Sequence, residues 1–410
     1  MSVRKIRLGI AGLGRAFSLM LPTLVLDPRI EIVAGADPRA EARARFEQDF
    51  SGRAYANVAD MCADPGVEAV YVSTPHQYHV ENVLAAAGHG RHILCEKPMA
   101  LSVEDCQAMI DAARNAGVHL VVGHSHSFDG PIRRAREIVE SGAYGDVRMM
   151  SAMDYTDFLY RPRRPEELDT SKGGGVIFNQ APHQVDNVRF IGGGMVKSVR
   201  AFTGAWDASR RTEGAYTALL TFENGAGASI TYSGYAHFDS DELVDWIGEG
   251  GLLKNPDNYG AARRGLSGVD EQAELDLKSQ LNYGGPRYAG FDPAKALPPE
   301  RWHQNFGLLI ASCERADMRP TSKGVMIYDD GSKRLDEVPV PPVPRSEVID
   351  ELYGAVVDGR APVHDGTWGL ATMEVCFAIL KSAQTGKDVQ LAHQVPTPAL
   401  LRAGQRMTNA

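Results

Sequence analysis

The chain has 410 residues, of which 43% are hydrophobic and 23% charged, and its formal net charge at pH 7 is −9. This length is sufficient for two domains with separate cores, and the composition is ordinary for a globular protein. The acidic balance argues against nucleic acid as a standing partner, and no apolar run approaches the roughly 20 residues of a membrane-spanning helix. The five cysteines are scattered and form no CxxC pair, which predicts a reduced, cytoplasmic protein without a disulfide framework.

An apolar strand, Ile6–Ala11, runs into a glycine-rich turn that is followed by a predicted helix and a second strand. Gly12 and Gly14 allow a tight strand-to-helix turn, and they let a pyrophosphate approach the N–H groups at a helix N-terminus. Asp37 ends the second strand and is predicted to accept hydrogen bonds from ribose hydroxyls. The third small residue of this dinucleotide-binding fingerprint falls at Phe17, so the motif alone leaves a generic α/β turn as an alternative.

Strands and amphipathic helices alternate through residues 1–123, which predicts an α/β domain with a doubly wound parallel sheet. Two loops at the carboxyl ends of its strands, 73–79 and 95–100, carry polar side chains. Ligands bind at this edge of open α/β sheets, so both loops are expected to face a cofactor. The predicted cofactor-binding residues are Gly12, Gly14, Arg15, Ala16, Asp37, Arg39, Ser73, Thr74, Pro75, His79, Glu96 and Lys97.

Residues 124–410 are predicted to form a second, α+β domain. Its segments 148–155, 196–202, 215–222 and 228–235 alternate apolar and polar residues, as strands of a large, mostly antiparallel sheet with one open face do. Residues 255–300 are rich in glycine, proline and charge without a clear period, and they are predicted to be an insertion of long loops. The open face and the insertion favour a homo-oligomer, a dimer or a tetramer.

The turn Glu96-Lys97-Pro98, placed after a strand and combined with the glycine-rich turn and the Thr74-Pro75 loop, resembles the Gfo/Idh/MocA oxidoreductases. The resemblance continues through residues 173–186 to the closing stretch 368–391. It implies a Rossmann domain that binds NAD, followed by a domain that binds substrate and forms the oligomer. Segments 157–169 and 234–241 are similar to dihydrodiol dehydrogenases within the family, which implies oxidation of phthalate cis-4,5-dihydrodiol to 4,5-dihydroxyphthalate.

Lys97 and His183 are the candidate catalytic residues. Pro98 stiffens the turn that carries Lys97, and a lysine partly withdrawn from water can bind or deprotonate an alcohol. The resemblance implies that His183 takes the hydroxyl proton, and many family members orient this histidine with an aspartate four positions earlier. That position is Asn179 here, which adds no charge, so Lys97 and His183 both stay open as the proton acceptor. The competing interpretations are a solvated surface lysine and a core histidine bonded to Asp186.

Three arginines stand around two prolines in the segment 160–165, and planar guanidinium groups suit a carboxylated substrate. A solvated cluster or a subunit contact is the competing interpretation. His124 and His126 form an H-x-H pair, but no neighbouring carboxylate or thiol completes a metal site, so no metal is predicted. The predicted substrate-binding residues are Ser125, His126, Tyr160, Arg161, Arg164, Asn179, His183 and His237.

These observations predict an NAD-dependent oxidoreductase that oxidises a secondary alcohol of a cyclic, anionic small molecule in aromatic catabolism. The first ketone formed from a cis-dihydrodiol enolises to a catechol, so aromatisation pulls the reaction forward. The alternatives are a sugar or inositol dehydrogenase, an NAD-dependent glycoside hydrolase and a catalytically silent, NAD-binding regulator. The presence of both Lys97 and His183 argues against the silent protein.

Overall fold

The computed structural model describes residues 3–280, 282–288, 290, 292, 297–298 and 300–400. The chain divides into two compact units, each made of three segments. The first unit contains residues 1–124, 270–299 and 341–370, and the second contains residues 125–269, 300–340 and 371–410. This corrects the predicted continuous domain over 124–410, because two of its segments belong to the first unit.

The first unit is built on a parallel sheet. Its strands are β1 Ile6–Ala11, β2 Ile30–Ala36, β3 Arg53–Tyr55, β4 Ala69–Val72, β5 His92–Cys95 and β6 Leu120–Val122. Hydrogen bonds join these six strands in the order β3-β2-β1-β4-β5-β6. Strand β4 is buried throughout, and β1 is buried except at Arg7. The predicted doubly wound sheet is confirmed, and the strand order reverses between β1 and β4, where such sheets bind ligands.

Helices flank both sheets, and local capping signals explain where several of them begin and end. They are α1 Arg15–Leu26, α2 Ala40–Phe50, α3 Val58–Ala63, α4 His79–Gly88, α5 Val103–Ala116, α6 Gly130–Ser141, α7 Gly175–Asn179, α8 Ala181–Gly192, α9 Ala261–Leu266, α10 Glu271–Ser279, α11 Ser346–Val356 and α12 Gly366–Thr385. Ser102, for example, caps α5 by accepting from the N–H of Asp105, and Gly117 ends it at φ +66°. None of the helices in the described ranges is long and apolar enough to cross a membrane.

Tyr283 and Tyr288 pack on helices α1 and α2 of the first unit. Tyr283 is fully buried, and its ring centroid lies 5.0 Å from that of Phe17. The Asp49 carboxylate accepts hydrogen bonds from the hydroxyls of Tyr283 at 2.7 Å and Tyr288 at 2.9 Å. The predicted insertion of long loops therefore contains two helices, α9 in the second unit and α10 in the first, and Tyr283 anchors its later part to the first unit. Residues 281, 289, 291, 293–296 and 299 of that prediction lie outside the described residues.

The second unit is built on a nine-stranded sheet. Its strands are β7 Val147–Tyr155, β8 Val196–Gly204, β9 Ala215–Phe222, β10 Gly227–Ser233, β11 Leu308–Cys313, β12 Ala316–Thr321, β13 Gly324–Asp329, β14 Lys333–Glu337 and β15 Val389–Gln390. Their order is β14-β13-β12-β11-β7-β10-β9-β8-β15. Strands β7 and β10 pair in parallel, whereas the other pairs are antiparallel, which confirms the predicted mostly antiparallel sheet.

The two faces of this sheet differ in burial. Helix α8, in which every residue is buried, packs against strands β7 and β10 on the covered face. The other face is open and carries exposed apolar side chains, namely Met149, Phe202, Leu219 and Ile310. The alternation that the sequence shows in these strands therefore separates a core face from a face available for contacts.

Candidate active site

The glycine-rich turn joins β1 to α1 and lies against the loop after β4. Gly12 has a φ of +92°, and a Cβ there would lie 2.9 Å from the backbone nitrogen of Thr74, so only glycine fits. A Cβ on Gly14 would meet nothing within 4 Å, which leaves open space beside the N-terminus of α1. The Ser73 hydroxyl donates to the carbonyl of Gly12 at 2.8 Å and fixes the neighbouring loop. This open backbone cradle fits a pyrophosphate.

Asp37 follows β2 and is only 6% exposed. Its carboxylate accepts from the backbone N–H of Leu13 at 2.9 Å and from that of Arg39 at 2.9 Å. The Arg39 guanidinium adds hydrogen bonds of 3.0 and 3.1 Å to the same carboxylate. These donors fill the acceptor sites of Asp37, so a ribose diol that binds it must displace the guanidinium. Asp37 also ties the glycine turn to the end of β2, a structural role that the sequence motif does not reveal.

A second guanidinium group lies near the start of α1. Desolvation and the positive charge of Arg345 lower the pKa of Arg15. Arg345 precedes α11 and has a φ of +55°, which is uncommon for a residue with a side chain. Two cations beside a helix N-terminus repel each other, and an anion placed near them reduces that repulsion. Arg15 is a predicted cofactor residue, whereas no sequence motif signals Arg345.

His79 joins the two polar loops of this edge. It is fully buried, and its ring nitrogens lie 3.0 Å from the carbonyl oxygen of Thr74 and 2.9 Å from that of Pro98. Burial lowers the pKa of His79. A fully buried ring with both nitrogens at carbonyl oxygens holds the two loops together. The cofactor contact of His79 stays a prediction, and its side chain also has this structural role.

Lys97 follows β5 in a turn whose neighbours are held inside the unit. The Tyr71 hydroxyl donates to the Glu96 carboxylate, and burial raises the pKa of that carboxyl. The carboxylate of Glu96 therefore bonds to Tyr71 and helps to position the turn. The sequence analysis predicts a cofactor contact for Glu96 and does not predict this structural role. Lys97 itself is half-buried at the carboxyl end of β5. Its place beside the loop of Thr74 suits a lysine that acts on a bound molecule.

In the second unit, helix α8 brings His183 next to His126. Both are buried, their ring centroids are 4.8 Å apart, and the Phe306 ring packs on each at 4.9 to 5.0 Å. Asp129 lies 2.7 Å from Nδ1 of His126, which fixes this ring and leaves its Nε2 facing away from Asp129. The Ser125 hydroxyl is buried with no hydrogen-bond partner in the described part of the chain, so it can bond a ligand.

Glu249 is the functional candidate that the sequence analysis missed. Nitrogen and carboxylate atoms of His126, His183 and Glu249 all lie within 4.8 Å of one another. Two imidazoles and a carboxylate are a donor set that a divalent cation can use, and the Asp129 contact of His126 is typical of such sites. No motif signals this trio, because its members are far apart in sequence. The sequence analysis considered a metal site only at the pair His124 and His126, and only His126 of that pair belongs to this trio.

Asn179 and Asp186 bind neighbouring elements. The Asn179 amide donates to the carbonyl of Gly175 at 2.8 Å, within α7. The Asp186 carboxylate accepts from the hydroxyls of Ser127 and Thr372, the latter at 3.2 Å. These bonds hold the turn before α8 and anchor the helix that carries the catalytic candidate.

The three arginines of segment 160–165 have three different surroundings. Arg163 is 8% exposed, donates to the carbonyl of Phe158 at 2.7 Å and stacks on its ring at 3.7 Å. Burial lowers the pKa of Arg163 to about 10. Arg164 pairs with Glu166 at 3.2 Å and Glu167 at 3.3 Å. Both side chains are therefore engaged in holding their own segment.

Arg161 differs from its neighbours. Its side chain is 43% exposed, and its ion pair with Asp157 is long, at 3.4 Å. The Glu249 carboxylate also attracts it electrostatically. Arg161 is therefore the arginine of this segment whose side chain is most accessible to a ligand.

Tyr160 and His237 belong to another place in the second unit. Both line a cavity of about 570 Å³ that does not include His126 or His183. Its strand residues, Tyr155 and Ser233, alternate with buried neighbours, which places the cavity at the open face of the sheet. This separates two of the predicted substrate residues from the histidine cluster.

Comparison with known proteins agrees with this division. Residues 6–124 match the profile of the oxidoreductase family with an NAD-binding Rossmann fold, and residues 132–254 match the GFO/IDH/MocA C-terminal domain. A 1-carboxy-3-chloro-3,4-dihydroxycyclohexa-1,5-diene dehydrogenase from Comamonas testosteroni is 45% identical, over 92% of this chain and 95% of its own.

Solved structures show the same fold. A protein from Bordetella bronchiseptica RB50, assigned as a dehydrogenase, has a TM-score of 0.88 and 44% identity, with coverage of 94% of this chain and 100% of its own. The WlbA dehydrogenase from Bordetella pertussis, solved with NADH and UDP-GlcNAcA, has a TM-score of 0.68 at 22% identity, over 96% of this chain and 99% of its own. The chain therefore belongs to the Gfo/Idh/MocA family of oxidoreductases and contains that family's NAD-binding Rossmann domain.

Proposed function

We propose that this oxidoreductase oxidises the secondary alcohol of a carboxylated cyclic cis-dihydrodiol, with phthalate cis-4,5-dihydrodiol as its substrate. The observation that carries the proposal is a group of three side chains in the second unit. Donor atoms of His183 and Glu249 lie within 4.8 Å of each other, and the Glu249 carboxylate attracts Arg161 electrostatically. This group combines a proton acceptor with a cation for a carboxylate. The Comamonas relative supports the substrate class, since its name describes a dehydrogenase of a carboxylated dihydroxycyclohexadiene.

NAD⁺, held by the cradle at Gly12 and Gly14 when bound, supplies the hydride acceptor. His183 takes the proton from the hydroxyl oxygen, and the Glu249 carboxylate stabilises the imidazolium that forms. Glu249 thereby provides the negative charge that Asn179 lacks. The family resemblance implies that Lys97, which belongs to the first unit, also acts on the hydroxyl group. The resulting ketone loses a ring proton and enolises to the catechol, 4,5-dihydroxyphthalate.

The charges around Glu249 favour this acid–base role over a metal centre. Arg161 and Arg163 both interact electrostatically with Glu249. Two guanidinium groups near one carboxylate oppose the approach of a divalent cation and favour an anionic ligand.

We also propose a cytoplasmic homo-oligomer. The exposed Met149, Phe202 and Leu219 form an apolar set on the open sheet face, which supports contact with a second copy. All five cysteines are free, and this supports a reducing compartment.

A substrate panel tests the proposed reaction. Phthalate cis-4,5-dihydrodiol, benzene cis-dihydrodiol, myo-inositol and glucose are each offered with NAD⁺, and absorbance of the reduced nicotinamide is followed. We expect the highest kcat/KM for the carboxylated diol, with activity retained after treatment with EDTA. Faster turnover of inositol or glucose contradicts the substrate class, and hydrolysis without net NADH contradicts the reaction. Loss of activity in EDTA that zinc or iron restores contradicts the acid–base role of the His183 cluster.

Cofactor choice is expected to follow Asp37. A 2′-phosphate placed beside this carboxylate meets a like charge, which costs several kcal/mol, so kcat/KM should favour NAD⁺ over NADP⁺ by at least about tenfold. Arg39→Ala is the informative control, because it removes the cation that could pair with the phosphate and should sharpen the preference. Equal kcat/KM values for the two cofactors in the wild-type enzyme are incompatible with the role given to Asp37.

Lys97→Ala and His183→Ala should each lower kcat by about 10²-fold or more, the usual effect of losing a positioned acid–base group. The dissociation constant for NAD⁺ should change little, since neither residue belongs to the pyrophosphate cradle or to Asp37. Lys172→Ala is a matched control, because its side chain is 61% exposed and pairs only weakly with Asp169, at 3.6 Å. A near-normal kcat in Lys97→Ala would show that the turn after β5 has no part in the chemistry.

Arg161→Ala should raise KM for the carboxylated diol by at least about tenfold, since a bound anion loses its partner. The same variant should lose discrimination between phthalate dihydrodiol and uncharged benzene dihydrodiol. Arg164→Ala is the control and should stay near wild type, because Arg164 already pairs with Glu166 and Glu167. If both variants keep the wild-type KM, the segment 160–165 has a structural role only.

A further inference from the structure

The cavity at the open face of the second unit's sheet takes no part in the proposed reaction. It has a volume of about 570 Å³, and aromatic rings form much of its wall. The rings belong to Tyr155, Tyr160, Trp206, Tyr235 and Phe238. Trp206 is 60% exposed and Phe238 is 44% exposed, so large aromatic surfaces face the open space. A concave surface that combines aromatic side chains with polar groups, here Asp207, His237 and Arg263, is a common form of small-molecule site.

Two rings of the aromatic wall pack directly against glycine backbone. A Cβ on Gly204 would lie 1.9 Å from the Trp206 ring, and a Cβ on Gly214 would lie 2.2 Å from the Tyr235 ring. Both rings therefore rest directly on backbone where any larger residue would displace them. Their centroids are 4.6 Å apart, at an interplanar angle of 36°. The exposed indole therefore packs on the Tyr235 ring in the absence of a ligand and presents its other surface to the cavity.

Arg263 provides a positive charge beside these rings. Its guanidinium carbon lies 3.6 Å from the centroid of the Tyr160 ring, and it donates to the carbonyl of Tyr235. Its Nε atom is buried without a hydrogen-bond acceptor among the residues that the structure describes. Asp207 also lines the cavity, and its carboxylate accepts from the hydroxyls of Tyr160 at 2.8 Å and Ser209 at 2.7 Å.

We propose that this cavity binds a small aromatic carboxylate, with its ring against Trp206 and Tyr235 and its carboxylate on Arg263. A planar ring matches the tilted aromatic wall, and a carboxylate is the acceptor that pairs best with a guanidinium lining the same cavity. The choice of ligand rests on the proposed function, whose oxidised product is an aromatic carboxylate. The lining of this cavity does not include His183, so the proposed ligand binds at a place other than the proposed site of reaction.

Calorimetric titration of 4-hydroxybenzoate into the full-length enzyme tests the site without turnover, so its outcome is independent of the proposed reaction. We expect saturable binding that is at least tenfold weaker for cyclohexanecarboxylate, which lacks the aromatic ring, and for 4-hydroxybenzamide, which lacks the charge. Arg263→Gln should weaken binding of 4-hydroxybenzoate at least tenfold. Arg264→Gln is the matched control, since this exposed neighbour donates to the carbonyl of Tyr259 and is not among the residues that line the cavity. Binding of 4-hydroxybenzoate by this variant should change less than twofold.

Both variants should retain the kcat/KM of the wild-type enzyme for the dihydrodiol. If Arg263→Gln raises KM for the diol, the cavity is part of the substrate site and the proposal is wrong. It is also wrong if binding is absent, if both arginine variants weaken it equally, or if Arg263→Gln dissociates an oligomer in sedimentation. Should Arg263→Gln fail to fold, Arg263→Lys decides the question: it keeps the charge but loses the planar fork, and binding should fall by several-fold.

Discussion

The cofactor edge of the first unit depends on the close approach of the backbone at Gly12 to the loop after β4. Any side chain at Gly12 would collide with Thr74, and the Ser73 hydroxyl bonds the carbonyl of Gly12 itself. His79 continues the connection from Thr74 to the carbonyl of Pro98. The glycine cradle and the turn that carries Lys97 are therefore joined by a short series of buried polar contacts, and a shift of one loop moves the other.

Much of the fold could be predicted because its signals are local. The apolar run before Gly12 and the strand–helix alternation after it indicate the parallel sheet, and alternating burial indicates the open-faced sheet of the second unit. Phe17 is an example of a residue whose role depends on a contact distant in sequence. It breaks the glycine fingerprint, and only the structure shows that it packs on Tyr283 from a segment placed far along the chain. A periodicity argument cannot detect this contact, because the segment around Tyr283 has no period of its own.

The candidate site was predicted in part for the same reason. Lys97 and His183 stand in recognisable motifs, whereas Glu249 reaches His183 only through the tertiary fold. The arginines of segment 160–165 look alike in sequence, but Arg163 is withdrawn onto the Phe158 ring while Arg161 stays accessible. Burial, rather than residue type, separates an arginine that supports a loop from one that can bind a ligand.

Arg39 donates hydrogen bonds to the carboxylate of Asp37, so its guanidinium competes with a ribose for that carboxylate. In the proposed cofactor site, binding of the ribose at Asp37 would exchange the guanidinium bonds of Arg39 for bonds from ribose hydroxyls, and a hydrogen bond to a charged group is worth about 1.5–3 kcal/mol net. The gain at this end of the cofactor is thus a small difference between two similar quantities. Tight binding at the adenosine end would slow the departure of reduced cofactor, and competition from Arg39 for the Asp37 carboxylate opposes such tight binding in the proposed cofactor site.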